Sequence, residues 1–197
     1  LSLHDALPIS LLGFHHAFEA ARSWPGSEYG NALLSRFPLV DCRRICLPKP
    51  ARMPAEARCL MQCVVQSPEG LLSVWNTHLG LLAGERRAQV ELLVRHLEEN
   101  SSLPVVLCGD FNARPQAKEL KGIGLHLARV PSQRTFPGIL PVIHLDHVFH
   151  SPHLQVVKSF VPKSILARSA SDHLPLIVDL DWSTEWSQRD VPILLPT

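Results

Sequence analysis

Residues 104–108 (PVVLC) are apolar at every position, and the run stops at Gly109-Asp110. A strand with no polar face must be covered on both sides, so this segment is expected at the centre of a sheet. Polar groups then appear where it emerges, in Gly109-Asp110-Phe111-Asn112. Just upstream the period changes. Val90, Leu93, Val94 and Leu97 fall at i, i+3, i+4 and i+7, while Arg86, Arg87, Glu91, Arg95 and Glu98 take the other positions. That spacing predicts an amphipathic helix over residues 85–100.

The remainder reads mostly as short strands. FHHAFEA (14–20), NALLSR (31–36), LVDCRRICLP (39–48) and RCLMQCVVQ (58–66) are apolar runs punctuated by Pro, Gly, Asn and Ser. Ser67-Pro68-Glu69-Gly70 separates RCLMQCVVQ from LLSVWNTHL (71–79), and a four-residue Pro/Gly turn between strand-like runs predicts a hairpin. A short helical piece is expected near residues 116–121. The stretch up to Pro141, broken by Pro131, Pro137 and Gly138, reads as a substrate-facing loop. LDHVFH, LQVVKSF and LPLIVDLDW supply three further strands.

With 197 residues, 46% of them hydrophobic and 19% charged, the chain suits one compact domain. Its net charge of +1 gives no global field for a long polyanion. No apolar run approaches the roughly 18 residues that span a bilayer. Residues 1–13 are expected to be a non-native or disordered leader, and residues 183–197 a loosely held tail. Five cysteines, an odd number in a chain able to bury a core, do not require a disulfide framework. A cytoplasmic, reducing location and a monomer are therefore expected. Cys42, Cys46, Cys59 and Cys63 read as core or edge residues rather than zinc ligands, because a spacing of four on a strand separates side chains by about 13 Å.

Four segments put acid, amide or imidazole groups at strand ends, where loops can build a site. In Asp110-Phe111-Asn112, strand alternation would turn the carboxylate and the amide to one side and Phe111 into the core. The pair could hold a cation or a phosphate oxygen, or merely shape a turn. His173 of Asp172-His173 could transfer protons near neutral pH, and Asp146 could fix its tautomer. Asp172, adjacent in sequence, suits a metal or water contact better. His78 ends the strand VWNTHL. The crowd of His144, His147, His150 and His153 is expected to be solvated surface rather than a zinc site.

Taken in order, Gly30-Asn31-Ala32-Leu33-Leu34-Ser35-Arg36, Asn76-Thr77-His78-Leu79, Gly109-Asp110-Phe111-Asn112, Leu145-Asp146-His147-Val148-Phe149 and Ser171-Asp172-His173-Leu174-Pro175 resemble the endonuclease/exonuclease/phosphatase family over about residues 14–182. The resemblance implies a DNase I-like four-layer α/β sandwich, two packed mixed sheets flanked by helices. It implies Mg²⁺-dependent (or Mn²⁺-dependent) hydrolysis of a phosphoester by in-line water attack. On that pattern Asp110 positions or activates the water and Asn112 holds a phosphate oxygen. His173 contacts the scissile phosphate and moves a proton with Asp146 orienting it, His78 assists the leaving oxygen, and Asp172 lies beside the metal.

The family's first strand and the helix bearing its main metal-ligating Glu have no counterpart before Gly30. Weak Mg²⁺ binding and little activity are therefore expected of these residues alone. The near-zero charge and single Tyr favour a small-molecule or lipid-headgroup phosphoester over nucleic acid. A non-catalytic relative, or a truncated inactive fragment that only binds ligand, and a zinc-stabilised structural protein are the competing readings.

Overall fold

The computed structural model describes residues 13–50, 55–100, 102–131 and 133–184; the expectations for the start of the leader and for the end of the tail fall outside them. The strands are β1 (His15–Trp24), β2 (Ser27–Ser35), β3 (Leu39–Cys46), β4 (Cys59–Ser67), β5 (Gly70–His78), β6 (Val105–Asp110), β7 (Ala128–Arg129), β8 (Asp146–His150), β9 (Leu154–Phe160) and β10 (Ile177–Trp182). The helices are α1 (Ala83–Glu99) and α2 (Ile165–Ala170), with 3-10 turns at Lys118–Lys121 and Ile123–Leu125. Among the described residues no helix is long and apolar enough to cross a membrane.

Six strands form a mixed sheet in the order β3-β4-β5-β6-β8-β7. The hairpin expected at Ser67–Gly70 joins β4 to β5. The apolar run became β6, parallel to β5 and antiparallel to β8, in the interior of the sheet as its lack of a polar face requires. Trp75, Leu107 and Phe149 lie side by side on β5, β6 and β8. Val90, Leu93 and Leu97 of α1 join them in one buried cluster, so the helical stripe read from the sequence covers this face.

The opposite face carries β1 and β2. Alternation turns Asn76 to that side, where its Nδ2 donates to the Ala32 carbonyl at 3.0 Å. Asn31 Nδ2 in turn donates to the carbonyls of Asn76 (3.1 Å) and Cys59 (2.9 Å). These bonds fix where β2 crosses the sheet. The result is an α/β sandwich in which, among the described residues, β1-β2 and β10-β9 form two separate two-stranded antiparallel sheets beside the six-stranded one.

Three local expectations are corrected. First, β3 and β4 pair so that Cys42 faces Cys63 and Cys46 faces Cys59. Cys42 and Cys63 form a disulfide with Cα atoms 4.1 Å apart. The 13 Å separation holds along one strand but not across two, and the ground for a reducing compartment goes with it. Second, His147 and His150 are buried rather than solvated. Alternation in β8 sends Asp146 to the β2 side and His147 to the α1 side, where His147 packs edge-on against Phe111 and its Nε2 lies 2.8 Å from the Ala113 carbonyl. Third, α2 was not anticipated. Its six residues are too few to show a period, although Ser164 caps it by accepting from the Ala167 N–H.

Leu93→Ala is expected to destabilise the chain by about 2–5 kcal/mol, since Leu93 is fully buried between α1 and the sheet. Urea unfolding measures this, with the exposed Leu125→Ala expected within about 0.5 kcal/mol of the parent.

Candidate active site

The strand ends on the β2 side converge because of register. His78 is the partner of Asp110 across β5 and β6, and Asp110 is the partner of Asp146 across β6 and β8. Three residues far apart in sequence thus form one row, about 5 Å from strand to strand. Gly109 makes this close approach possible. Its φ is +145°, and a Cβ there would overlap the carbonyl oxygen of Thr77.

His173 enters from the segment before β10. Its Nδ1 lies 2.8 Å from Asp146 Oδ2, and its Nε2 faces Asp110 Oδ2 at 3.9 Å. Gly138 N donates to the Asp172 carbonyl at 2.6 Å and Leu174 N to the Thr135 carbonyl at 2.8 Å, which binds the 131–141 loop to this segment. Phe136 from that loop stacks obliquely on His173, ring centroids 4.9 Å apart.

Asn112 sits beside Asp110 by a route other than strand alternation. Its φ of 47° ends the extended backbone and turns its N–H back to Asp110 Oδ1 at 2.8 Å. The amide Nδ2 donates to the Leu79 carbonyl at 2.9 Å, leaving its second hydrogen for another acceptor. Phe111 is in the core, as expected.

His78 has Asp110 Oδ2 3.3 Å from its Nε2 and the Tyr29 hydroxyl 2.8 Å from its Nδ1. Arg58 Nη1 donates to that hydroxyl at 2.7 Å, and its Nη2 pairs with Glu56 at 2.9 Å. Tyr29 and Arg58 were missed in the sequence. The available signal was slight: Tyr29 shares a strand face with Asn31, and Arg58 is a charge set directly before the buried run Cys59-Leu60-Met61.

Burial and charge pull the two histidines apart. Burial, then the positive charges of Arg58 and His173, lower the pKa of His78 to about 4. Its 3.3 Å contact with Asp110 is therefore that of a neutral ring with a carboxylate rather than an ion pair. Burial also works to lower His173, but the hydrogen bond and charge of Asp146, helped by Asp110 and Asp172, outweigh it and hold His173 above its ordinary value. Asp110 is raised, chiefly by burial and partly by Asp146, against the Asn112 N–H.

Asp172 is exposed, and its Oδ1 accepts from the Ser171 hydroxyl at 3.4 Å. Among the described residues no three His, Cys, Asp or Glu side chains are grouped to hold a metal ion. The residues present supply too few ligands for a metal centre, and the zinc-stabilised reading loses its basis among them. Behind His173 a cavity of about 460 Å³ opens, lined by Cys108, Gly109, Asp146, Val148, Leu174 and Leu176 among others.

The sequence matches the model of the Endonuclease/Exonuclease/phosphatase family over residues 2–173, beginning upstream of Phe14. It is 28% identical over 210 residues to the uncharacterised protein YbhP of Escherichia coli (strain K12), covering 91% of this chain and 79% of that protein. The fold is shared with the Bacteroides thetaiotaomicron VPI-5482 mannosyl-6-phosphatase at a TM-score of 0.73, with 19% identity and coverage of 91% of this chain and 82% of that one. It is shared also with the human Nocturnin catalytic domain bound to sulfate, at a TM-score of 0.69, 23% identity and coverage of 90% and 75%. The fold is DNase I-like, and with a family match spanning most of its length this chain belongs to the Endonuclease/Exonuclease/phosphatase family.

Proposed function

We propose that the chain's site hydrolyses a phosphoester bond by in-line attack of water, with a small-molecule or lipid-headgroup phosphoester favoured over nucleic acid. The observation that carries this reading is the 2.8 Å bond from Asp146 to His173, with the far nitrogen of that ring 3.9 Å from Asp110. It is an acid and a base held around one gap. Displacement at phosphorus needs a localised nucleophile and a proton for the departing oxygen. Asp110, its carboxyl raised by burial, orients the water and accepts its proton. His173, whose hold on a proton is strengthened by Asp146, contacts the phosphate and donates a proton to the leaving oxygen. The second amide hydrogen of Asn112 is available to a non-bridging oxygen.

The family's divalent ion, Mg²⁺ or Mn²⁺, would supply charge on the non-bridging oxygens. Asp172 would contribute one carboxylate to it, which by itself does not make a site. A second reading, a relative that binds a phosphoester without cleaving it, is favoured by the lack of a three-ligand cluster among the described residues. The near-zero net charge supports the preference for a small or headgroup phosphoester, and so does the occurrence of the same fold in a mannosyl-6-phosphatase.

The reading is tested with bis-p-nitrophenyl phosphate, inositol phosphates, sphingomyelin vesicles and supercoiled plasmid, each with Mg²⁺ and with chelator. Slow turnover of one of the first three is expected, and His173→Ala should cut it to the uncatalysed background. Plasmid nicking alone would reverse the substrate preference, and binding without turnover would establish the second reading.

A pH dependence also follows. The folded His173 pKa lies above its unfolded value of about 6.5. The stabilisation is therefore complete below the unfolded value and fades as pH rises through the folded one. The stability gap between the parent and Asp146→Asn should accordingly narrow as pH rises above the unfolded value of about 6.5 in urea unfolding. A widening gap would mean that Asp146 does not hold the charged ring.

A further inference from the structure

His78 is the least explained member of the site, and the bonds around it determine which ring nitrogen carries its hydrogen. At one end stands Arg58, buried in the protein, whose guanidinium can only donate. Its Nη1 gives a hydrogen bond to the Tyr29 hydroxyl at 2.7 Å. At the other end stands Asp110, whose ionised carboxylate can only accept, 3.3 Å from His78 Nε2. A neutral imidazole has one hydrogen. If Nε2 uses it towards Asp110, Nδ1 is an acceptor, and the group facing Nδ1 at 2.8 Å, the Tyr29 hydroxyl, must be the donor.

We propose that Tyr29 and Arg58 are positioning residues that lock His78 as its Nε2–H tautomer, through a relay of hydrogen bonds directed from Arg58 to Tyr29 and from Tyr29 to His78 Nδ1, which leaves the Nε2–H turned to the Asp110 carboxylate. Arg58 also disfavours a charged His78, since the guanidinium reinforces burial in opposing a positive ring. His78 is then a neutral donor rather than a source of protons. Its N–H faces Asp110 Oδ2 at 3.3 Å while the Asn112 N–H holds Oδ1 at 2.8 Å, so both oxygens of the water-orienting carboxylate have a donor beside them. Proton delivery to a leaving oxygen is left to His173. Donation by a neutral His78 would create an imidazolate, which nothing in the site stabilises.

The role of the relay in turnover rests on the hydrolytic reading above; the tautomer itself does not. The test is long-range ¹H–¹⁵N correlation of the histidine rings of the ¹⁵N-labelled chain near neutral pH, without metal or substrate, with His78 assigned by loss of its signals in His78→Gln. A pyridine-type Nδ1 and a pyrrole-type Nε2 are expected for His78; a pyrrole-type Nδ1 would overturn the relay whatever the activity. Tyr29→Phe keeps the ring and removes only the donor, and should convert His78 to a mixture of tautomers. An unchanged Nε2–H pattern would show that Tyr29 does not set it. Arg58→Lys retains a donor and should preserve the parent pattern, and a shift to Nδ1–H there would count against the direction of the relay. On any substrate the parent turns over, Tyr29→Phe should lower kcat about tenfold with KM little changed, the loss of one orienting hydrogen bond. Should the parent show the expected tautomer and no turnover, the hydrolytic reading fails while the relay stands.

Discussion

Everything at this site depends on the register in which β6 is held between β5 and β8. Because β6 runs parallel to one neighbour and antiparallel to the other, the end of β5, the end of β6 and the beginning of β8 lie along one rim of the sheet. Backbone hydrogen bonds from Leu79 to Asp110 and from Phe111 to Leu145, both 2.9 Å, carry the ladder past the last paired residues. A slip of one residue would send Asp110 to the α1 side and put Gly109 in the row. The register is in turn enforced by Trp75, Leu107 and Phe149 on the opposite face, which α1 covers. Core packing on one side of the sheet thus positions polar groups on the other.

Given that row, the two histidines acquire opposite properties from the same low-dielectric surroundings. Each is partly buried, and burial alone would make both neutral. His173 has a carboxylate at 2.8 Å with two more acting on it, whereas His78 has Asp110 at 3.3 Å on one side and, on the other, a phenol with a guanidinium behind it. Burial is the largest influence on His78 and goes largely unopposed there, whereas the neighbouring carboxylates outweigh it at His173. This divides labour between two residues of one type, with one ring able to carry a proton and the other able to orient an acceptor.

Much of the architecture was legible because period and burial are local. The unbroken apolar run, the 3.6-residue stripe and the Pro/Gly turn each named an element that the structure contains. The segments ending in His78, Asp110, Asp146 and His173 were legible as strand ends, and the structure brings these residues together. What stayed hidden depended on how strands face each other. The Cys42–Cys63 pairing requires knowing that β3 and β4 are aligned at those residues. The burial of His147 follows from which face of β8 is covered by the helix. Tyr29 and Arg58 carry no motif, since a tyrosine in a strand and an arginine before one are ordinary. Their partnership arises only when β2 is laid across the sheet by the amides of Asn31 and Asn76.

β3 lies at the edge of the six-stranded sheet, with one row of its backbone groups facing away from any ladder in that sheet. An edge strand can leave its own neighbour and be traded for the same strand of another copy, which is how swapped dimers and open-ended assemblies begin. The Cys42–Cys63 bond ties β3 to β4 covalently. While it is intact, β3 cannot part from β4 to be traded for the β3 of another copy, so the thiol chemistry of the surroundings governs whether that exchange is open.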